Sequence, residues 1–421
     1  MTLEFQKLTD QVDQLGAYIA EQEEELDRKV DIAVEIMAAH ADPAMLAEID
    51  ARVQDAIDKD AGYRGARPVD EPIMSTFPPA PLPGAATVVA TDGSQVLPNP
   101  HGAALYYLLN IGTIVMHYGS GEPPQVTSEP YLFFDHLHLQ TETRGVITPN
   151  VVGARRTVAE ISALAERSWD HSGMARPLIS LLDGPLVFVM AGDVPDRDQL
   201  RRTYFSAMNR LLEVKAGLAG YIDRPRSTFV VNLLHLLDIP SDEVSRRSLS
   251  TAGRIEGVRD TAIFRYKQDD QPLLPSSHRS AIFIQMSPQN KEFKQEGGEM
   301  LEVAFFYMNV AAPDEPPQIV RVEVPVWVAQ DRALVAEMQS LIYHQCQQTV
   351  IRYPYVLTRA DELAVVKREE NTQLDMMIRV ALTRHAMPLR ESSKQAGKDA
   401  ARSRKTRFDV GGRGRQRQEL S

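Results

Sequence analysis

The chain has 421 residues, 43% of them hydrophobic and 24% charged, which is ample for a large globular core, and no apolar run approaches the ~18–20 residues needed to cross a bilayer. One cysteine, Cys346, excludes an intrachain disulfide and a cysteine-rich zinc site, so the expected location is the cytoplasm. The net charge of −11 weighs against a nucleic-acid coat protein, but not against an enzyme that grips nucleic acid in a local groove or with a tail.

The first expected unit, residues 1–67, is an acidic helical arm. It opens MTLEFQKLTDQVDQLG, without the basic-then-apolar signature of a signal peptide. Leu8, Val12, Leu15 and Ile19 recur at helical spacing, and Leu26, Val30, Val34 and Met37 resume the stripe. Residues 1–60 hold 16 acids against 5 bases. Two arrangements satisfy this pattern: a coiled-coil arm pairing with a partner or a second copy, and a helical hairpin, broken near Asp42-Pro43, packed on its own domain. Residues 68–85 contain six prolines and read as an extended connector.

From residue 86 to 387 short apolar runs alternate with helical stretches. TVVATDG, ALYYLLNIGTIVMHYG, PYLFFDHLHL, PLISLLDGPLVFVM, STFVVNLL, SAIFIQM, EVAFFYMNV and IVRVEVPVWVA are rich in β-branched and aromatic residues and read as strands. VVGARRTVAEISALAERSWD, DQLRRTYFSAMNRLLEVKAGLAG and DRALVAEMQSLIYHQCQQTVIR read as helices, which together predict an α/β domain with a mixed sheet. A further helix is expected to start near Thr358, after Tyr353-Pro354-Tyr355, with Asp361 and Glu362 in its first turn. Residues 388–421 are polar and rich in Gly, Ser and Arg. They predict a disordered basic tail, suited to phosphate contact or to solubility alone.

Two apolar runs end in aspartate-glycine: Asp92-Gly93 and Asp183-Gly184. Each pair alone reads as a turn. If both terminate neighbouring central strands, the two carboxylates approach at one end of the sheet, where their repulsion calls for a divalent cation such as Mg²⁺ or Mn²⁺. Two such ions could activate a water and stabilise the leaving oxygen of a phosphodiester. Ser94 could add a hydroxyl contact to phosphate or cap a turn. Glu160 and Glu166 are both candidates for a third acid; Glu160 lies between the apolar positions Val158 and Ile161. Asp361 reads either as a helix-dipole acid or as a metal-reaching carboxylate.

These residues stand in an ordered set: TDGSQ at 91–95, RRTVAE at 155–160, LLDGPL at 181–186, GYIDRPRS at 220–227 and YPYVLTRADELAVV at 353–366. The set resembles the NurA nucleases, the partners of the HerA helicase in DNA end processing. The resemblance covers roughly residues 85–385 and implies a ribonuclease-H-like (Piwi-like) fold. It implies a metal-dependent deoxyribonuclease, with 5′–3′ exonuclease and single-strand endonuclease activity on single-stranded DNA and duplex ends. It also implies Mn²⁺ (or Mg²⁺), two ions, a homodimer and a hexameric HerA-type ATPase as partner. Carried over by motif, Asp92, Asp183 and Glu160 are metal ligands. Tyr353 and Asp361 belong to the last motif, where many relatives carry histidine at the position of Asp361. Ser94, Tyr221, Arg224 and Arg226 lie near the DNA, although Asp223-Arg224 also reads as a local ion pair.

Two other readings compete. An actin- or hexokinase-like ATPase shares the sheet architecture, but its phosphate loops carry more glycines, and no GxxxxGK[ST] stretch is found here. A non-catalytic adaptor would use the acidic arm and the basic tail, with both Asp-Gly pairs as turns. No GxSxG stretch supports a serine hydrolase, and Cys346 and His344 read as core and structural residues. His136 and His138 would lie on one face of a strand, a spacing compatible with metal.

Overall fold

The computed structural model describes residues 5–140, 145–268 and 270–387. The tail expected at 388–421 lies outside the described residues. No helix among the described residues is long and apolar enough to cross a membrane.

Helix α1 (Thr9–Ala39) ends close to the expected break, where the Asp42 side chain accepts from the Ala44 N–H at 2.8 Å. Helix α2 (Leu46–Lys59) follows. The inner part of the arm packs on its own domain as the helical hairpin does. The inner half of α1 buries Val30, Ala33, Val34 and Met37 in a core shared with α2, whereas its outer half leaves Val12, Leu15, Tyr18 and Ile19 exposed.

The chain then contributes β1 (Gly65–Pro68), β2 (Thr76–Phe77), β3 (Ala86–Val96), β4 (Tyr107–Tyr118) and β5 (Gln125–Phe133). A short α3 (His136–Leu139) and the long α4 (Pro149–Asp170) lead to β6 (Leu178–Asp183), α5 (Arg197–Glu213) and β7 (Gly217–Ile222). After α6 (Phe229–Asp238) and α7 (Asp260–Arg265) come the small hairpin β8 (Lys267–Gln268) and β9 (Gln271–Pro272), then β10 (Arg279–Ser280), β11 (Phe283–Met286) and α8 (Pro288–Gly297). The chain closes with β12 (Val303–Asn309), β13 (Ile319–Pro325), α9 (Val326–Ala329), α10 (Arg332–Gln347), α11 (Tyr355–Ala364) and α12 (Arg368–Arg384).

One 11-stranded mixed sheet organises these elements, in the order β1-β11-β12-β13-β7-β6-β3-β4-β5, with β10 and β2 attached beside β12. The β3–β6 and β6–β7 pairs are parallel; the others are antiparallel. One core joins the central strands to α4, α5, α10 and α11, and a second joins β11 and β12 to α6, α7, α2 and the inner half of α1. Strands β12 and β13 are buried along their whole length; β12 is almost entirely apolar, as such burial requires, and β13 carries Arg321 and Glu323 as a buried ion pair.

Several elements depart from their sequence reading. Strand pairing crosses the boundary expected at residue 86: Gly65–Pro68 pairs with β11, and Thr76–Phe77 pairs with β10. The proline-rich connector is held by Glu71, whose carboxylate accepts two hydrogen bonds from buried Arg279, at 2.8 and 2.9 Å. STFVVNLL is the helix α6 rather than a strand. It is buried nearly all round, and its ends are satisfied by distant groups: Asp260 accepts from Val231 N–H at 2.9 Å and Arg52 donates to Leu236 O at 2.6 Å. The helix expected through residue 220 stops at Glu213; Lys215 adopts φ 52° and Gly217–Ile222 is a strand. His136 and His138 lie in a helical turn capped by Asp135, not on a strand face. The helix expected at Thr358 starts at Tyr355, so Asp361 is not in its first turn.

Gly112 on β4 fixes how α11 meets the sheet. A Cβ there would lie 2.3 Å from the Ala360 carbonyl oxygen and 2.6 Å from the Ala364 nitrogen, so the helix backbone rests directly on the strand. Gly112→Ala must push α11 outward, and overpacking of this kind costs about 1–3 kcal/mol. Urea unfolding should show a loss of that size.

Candidate active site

The parallel strands β3 and β6 are paired from Thr87↔Leu178 to Thr91↔Leu182. Strand β6 ends one residue later at Asp183, and Gly184, at φ 101°, turns the chain away. Strand β3 continues to Val96, paired with β4, so Asp92↔Gly112 and Gly93↔Ile111 are ladder positions. The turn reading of Asp92-Gly93 therefore does not hold. Asp92 lies in an unbroken strand at the point where its neighbour departs.

Two helices add groups from opposite faces of the sheet. On α4, Glu160 is buried, and its carbonyl accepts from the Thr91 hydroxyl at 3.0 Å. Its carboxylate lies 3.0 Å from Arg156 Nε, one turn earlier. A Cβ at Gly93 would lie 2.6 Å from Glu160 Oε1, so the bare strand backbone makes the space this carboxylate occupies. Helix α11 is tied down at its C-terminal carbonyls. Ser94 donates its hydroxyl to Ala364 O, and Asn110 Nδ2 donates to Leu363 O and Ala364 O at 3.1 and 2.8 Å. Asp361 on this helix is exposed, and its charge acts on both Asp92 and Asp183. Tyr353, just before α11, has its hydroxyl near Asp183, where it favours the ionised carboxylate, and packs edge-on against Tyr221 with ring centroids 5.1 Å apart. Thr349 holds the Tyr353 backbone, accepting from its N–H at 3.0 Å and donating to its carbonyl at 2.7 Å.

Gathering these carboxylates raises their affinity for protons. Burial, opposed by the Gly93 N–H and assisted by the charges of Asp183 and Asp361, pushes Asp92 up to about 6. Burial pushes Glu160 up to about 8; Arg156 opposes this, and Asp92 and Asp183 add to it. Asp183 is also raised, through desolvation, with the Tyr353 hydroxyl opposing and Asp361 and Asp223 adding. Because Asp183 is exposed at the mouth of the cleft, its shift is screened there and carries little stability. Glu160 Oε1 is buried without a hydrogen-bond partner despite the nearby Arg156, because the pair lacks hydrogen-bond alignment. An all-oxygen, mutually repelling donor set with an orphaned oxygen fits a hard divalent cation in its chemistry. Among the described residues, however, no three His, Cys, Asp or Glu side chains are positioned to hold a metal ion as they stand.

The other candidates separate. Glu166 is exposed and its charge acts on Tyr131, so Glu160 is the glutamate that joins the cluster. Tyr221, expected near the substrate, is fully buried and has no surface to offer DNA; it supports Tyr353 from behind. Arg224 and Arg226 are exposed on the loop after β7, beside the strand end that carries Asp183, and Arg224 lies 3.7 Å from Asp223. The Ser94 hydroxyl donates to α11 rather than standing free. Cys346 is buried and its thiol is pushed up to about 12, the state of a core residue rather than a nucleophile. His138 is bonded to Asp135 at 2.6 Å, outside the cluster. Sequence reasoning did not single out Arg156. The available signal was its spacing: it lies four residues before Glu160, on the same helical face. A cleft of about 550 Å³ is lined by Arg156, Thr157 and Glu160 of α4 and by the chain from Asp183 through the apolar stretch after Gly184.

Residues 86–366 match the family model described as the NurA domain. No curated protein matches. A solved structure described as the crystal structure of the NurA nuclease from Sulfolobus solfataricus is similar at 11% sequence identity and a TM-score of 0.49, covering 90% of this chain and 98% of that one.

The Glu160 shift has a measurable sign. The folded state holds this proton more tightly than the unfolded chain, whose glutamate titrates near 4.5, so stability falls as pH rises from there toward about 8. In chelator, urea unfolding of the wild-type protein should lose up to roughly 1.4 kcal/mol per pH unit across this window. Glu160→Gln should flatten that slope and be the more stable protein at pH 8.

Proposed function

The chain belongs to the NurA family, and on that premise we propose that it is a nuclease that cleaves DNA, single-stranded and at duplex ends, with Mn²⁺ or Mg²⁺. The observation that carries this reading is the convergence of Asp92, Asp183 and Glu160 where β6 stops and β3 continues. The strand order supports a ribonuclease-H-like core: the antiparallel trio β5-β4-β3 is followed by the parallel pair β6 and β7, with an acid on the first and fourth of these strands in chain order.

In this reading Asp92 and Asp183, with Glu160, hold the divalent ions. Bound there, the ions supply positive charge that activates water and stabilises the leaving oxygen. The remaining roles belong to side chains of this chain. Arg156, on the α4 side of the cleft beside Glu160, would hold a non-bridging phosphate oxygen. Tyr353 orients Asp183 through its hydroxyl and favours its ionised form. Asp361 adds negative charge at the same end of the sheet. Arg224 and Arg226 take flanking phosphates. The proposed partners are a second copy of the chain and a HerA-type hexameric ATPase, with 5′–3′ exonuclease and single-strand endonuclease activity.

The test is cleavage of end-labelled single- and double-stranded DNA in Mn²⁺, Mg²⁺ or EDTA, with and without a HerA-type motor. Cleavage should need the cation. Asp92→Asn and Asp183→Asn should each lower it by more than the ~10–100-fold typical of an outer-shell change. Cation-independent cleavage, or full activity in either variant, would overturn the assignment. Tyr353→Phe removes a hydrogen bond that favours ionised Asp183, so the acid limb of the pH–rate profile should move to higher pH.

A further inference from the structure

We propose that the irregular stretch Pro185–Met190 is a preformed seat for one unpaired nucleobase beside the scissile phosphate, an inference that rests on the nuclease reading. PLVFVM has the composition of a buried strand, yet after Asp183 it leaves the sheet. Part of it faces solvent: Pro185 is exposed, Val189 is 64% exposed and Phe188 is half-buried. These side chains line the same cleft as Glu160, Asp183 and Arg156.

The seat is held in shape from behind. Leu186 N–H donates to Glu323 Oε2 at 2.8 Å, and the Leu186 carbonyl accepts from the Tyr204 hydroxyl at 2.8 Å. Phe188 stacks on Tyr204 with centroids 4.9 Å apart and planes 20° apart. Glu323 is itself buried and paired with Arg321 at 2.7 Å, so a charged pair in the core anchors a segment that has no ladder of its own.

The cleft thus has an apolar wall on one side and Arg156, Thr157 and Asn150 on the other. That division matches a nucleotide: the base lies against the apolar wall and the phosphate faces the guanidinium and the carboxylates. At about 550 Å³ the cleft has the size of a small-ligand site. A base inside a duplex cannot reach such a wall without leaving the stack. The seat therefore confines cutting to positions where a base is already unpaired.

The test deletes the contact from both sides. The substrate is a single-stranded DNA oligonucleotide with one abasic site next to a mapped cleavage position, compared with the intact oligonucleotide. The protein variants are Val189→Ser and Val189→Asp, checked for unchanged thermal unfolding; the exposed Val189 makes both safe for folding. Wild-type protein should cut at the abasic position with kcat/KM lower by on the order of tenfold, the scale of losing one base contact. The Val189 variants should raise KM on the intact strand and lose most of this discrimination. Wild-type cleavage indifferent to the abasic site, or Val189 variants that discriminate as wild type does, would overturn the seat while leaving the nuclease reading intact. Loss of stimulation by the motor alone, with unaided cleavage unchanged, would assign the wall to a protein partner and also overturn it. No cleavage by wild type with any cation would remove the nuclease reading and the seat with it.

Discussion

Like charges held close together in a partly dry place constrain everything around them. Asp92, Glu160 and Asp183 repel one another, and burial raises the cost of ionising each. Left alone, such a group would splay apart or keep its protons. Here it is kept together because each acid hangs from a different rigid element: a strand interior, a helix and a strand end. The remainder of the domain can be understood as the scaffold that prevents these elements from separating.

That scaffold is made of short polar ties across apolar layers. Thr91 reaches up from β3 to the backbone of α4 at Glu160 itself. Ser94 and Asn110 reach the last carbonyls of α11 from β3 and β4, on the other face. Each tie satisfies a group that would otherwise be buried without a partner, so each contributes to position as well as to stability. Alternation along β3 explains the division of labour. Thr91 and Gly93 meet α4, Ser94 meets α11, and Asp92, in phase with Ser94, feels the charge of Asp361 from α11.

Much of this was legible in the sequence, and the reason is physical. A carboxylate that interrupts an apolar run is costly to bury, so Asp92 and Asp183 stood out. The phase of Glu160 between Val158 and Ile161 pointed it inward, whereas Glu166 could be separated from it only in three dimensions. What was not legible depended on distant partners. Nothing local shows that β3 outlasts β6, because strand ends are set by neighbours. Helix α6 reads as a strand because its valines favour one, while its caps come from Asp260 and Arg52, far away in the chain. The apolar stretch after Asp183 reads as a strand because composition does not reveal whether a ladder is available. Tyr221 was placed at the substrate by its motif, although its ring belongs to the core.

The Glu71–Arg279 pair bears on where this protein can be divided. The family match begins at residue 86, yet Glu71 accepts from a buried guanidinium that has no other carboxylate partner among the described residues, and β1 covers the flank of β11. A recombinant fragment cut at the family boundary would leave that arginine uncompensated, at a cost of roughly 3–5 kcal/mol. It would also bare a sheet edge able to recruit other strands. The segment from the inner half of α1 through residue 85 is therefore part of the folding unit, and a clone meant to be soluble should begin before it.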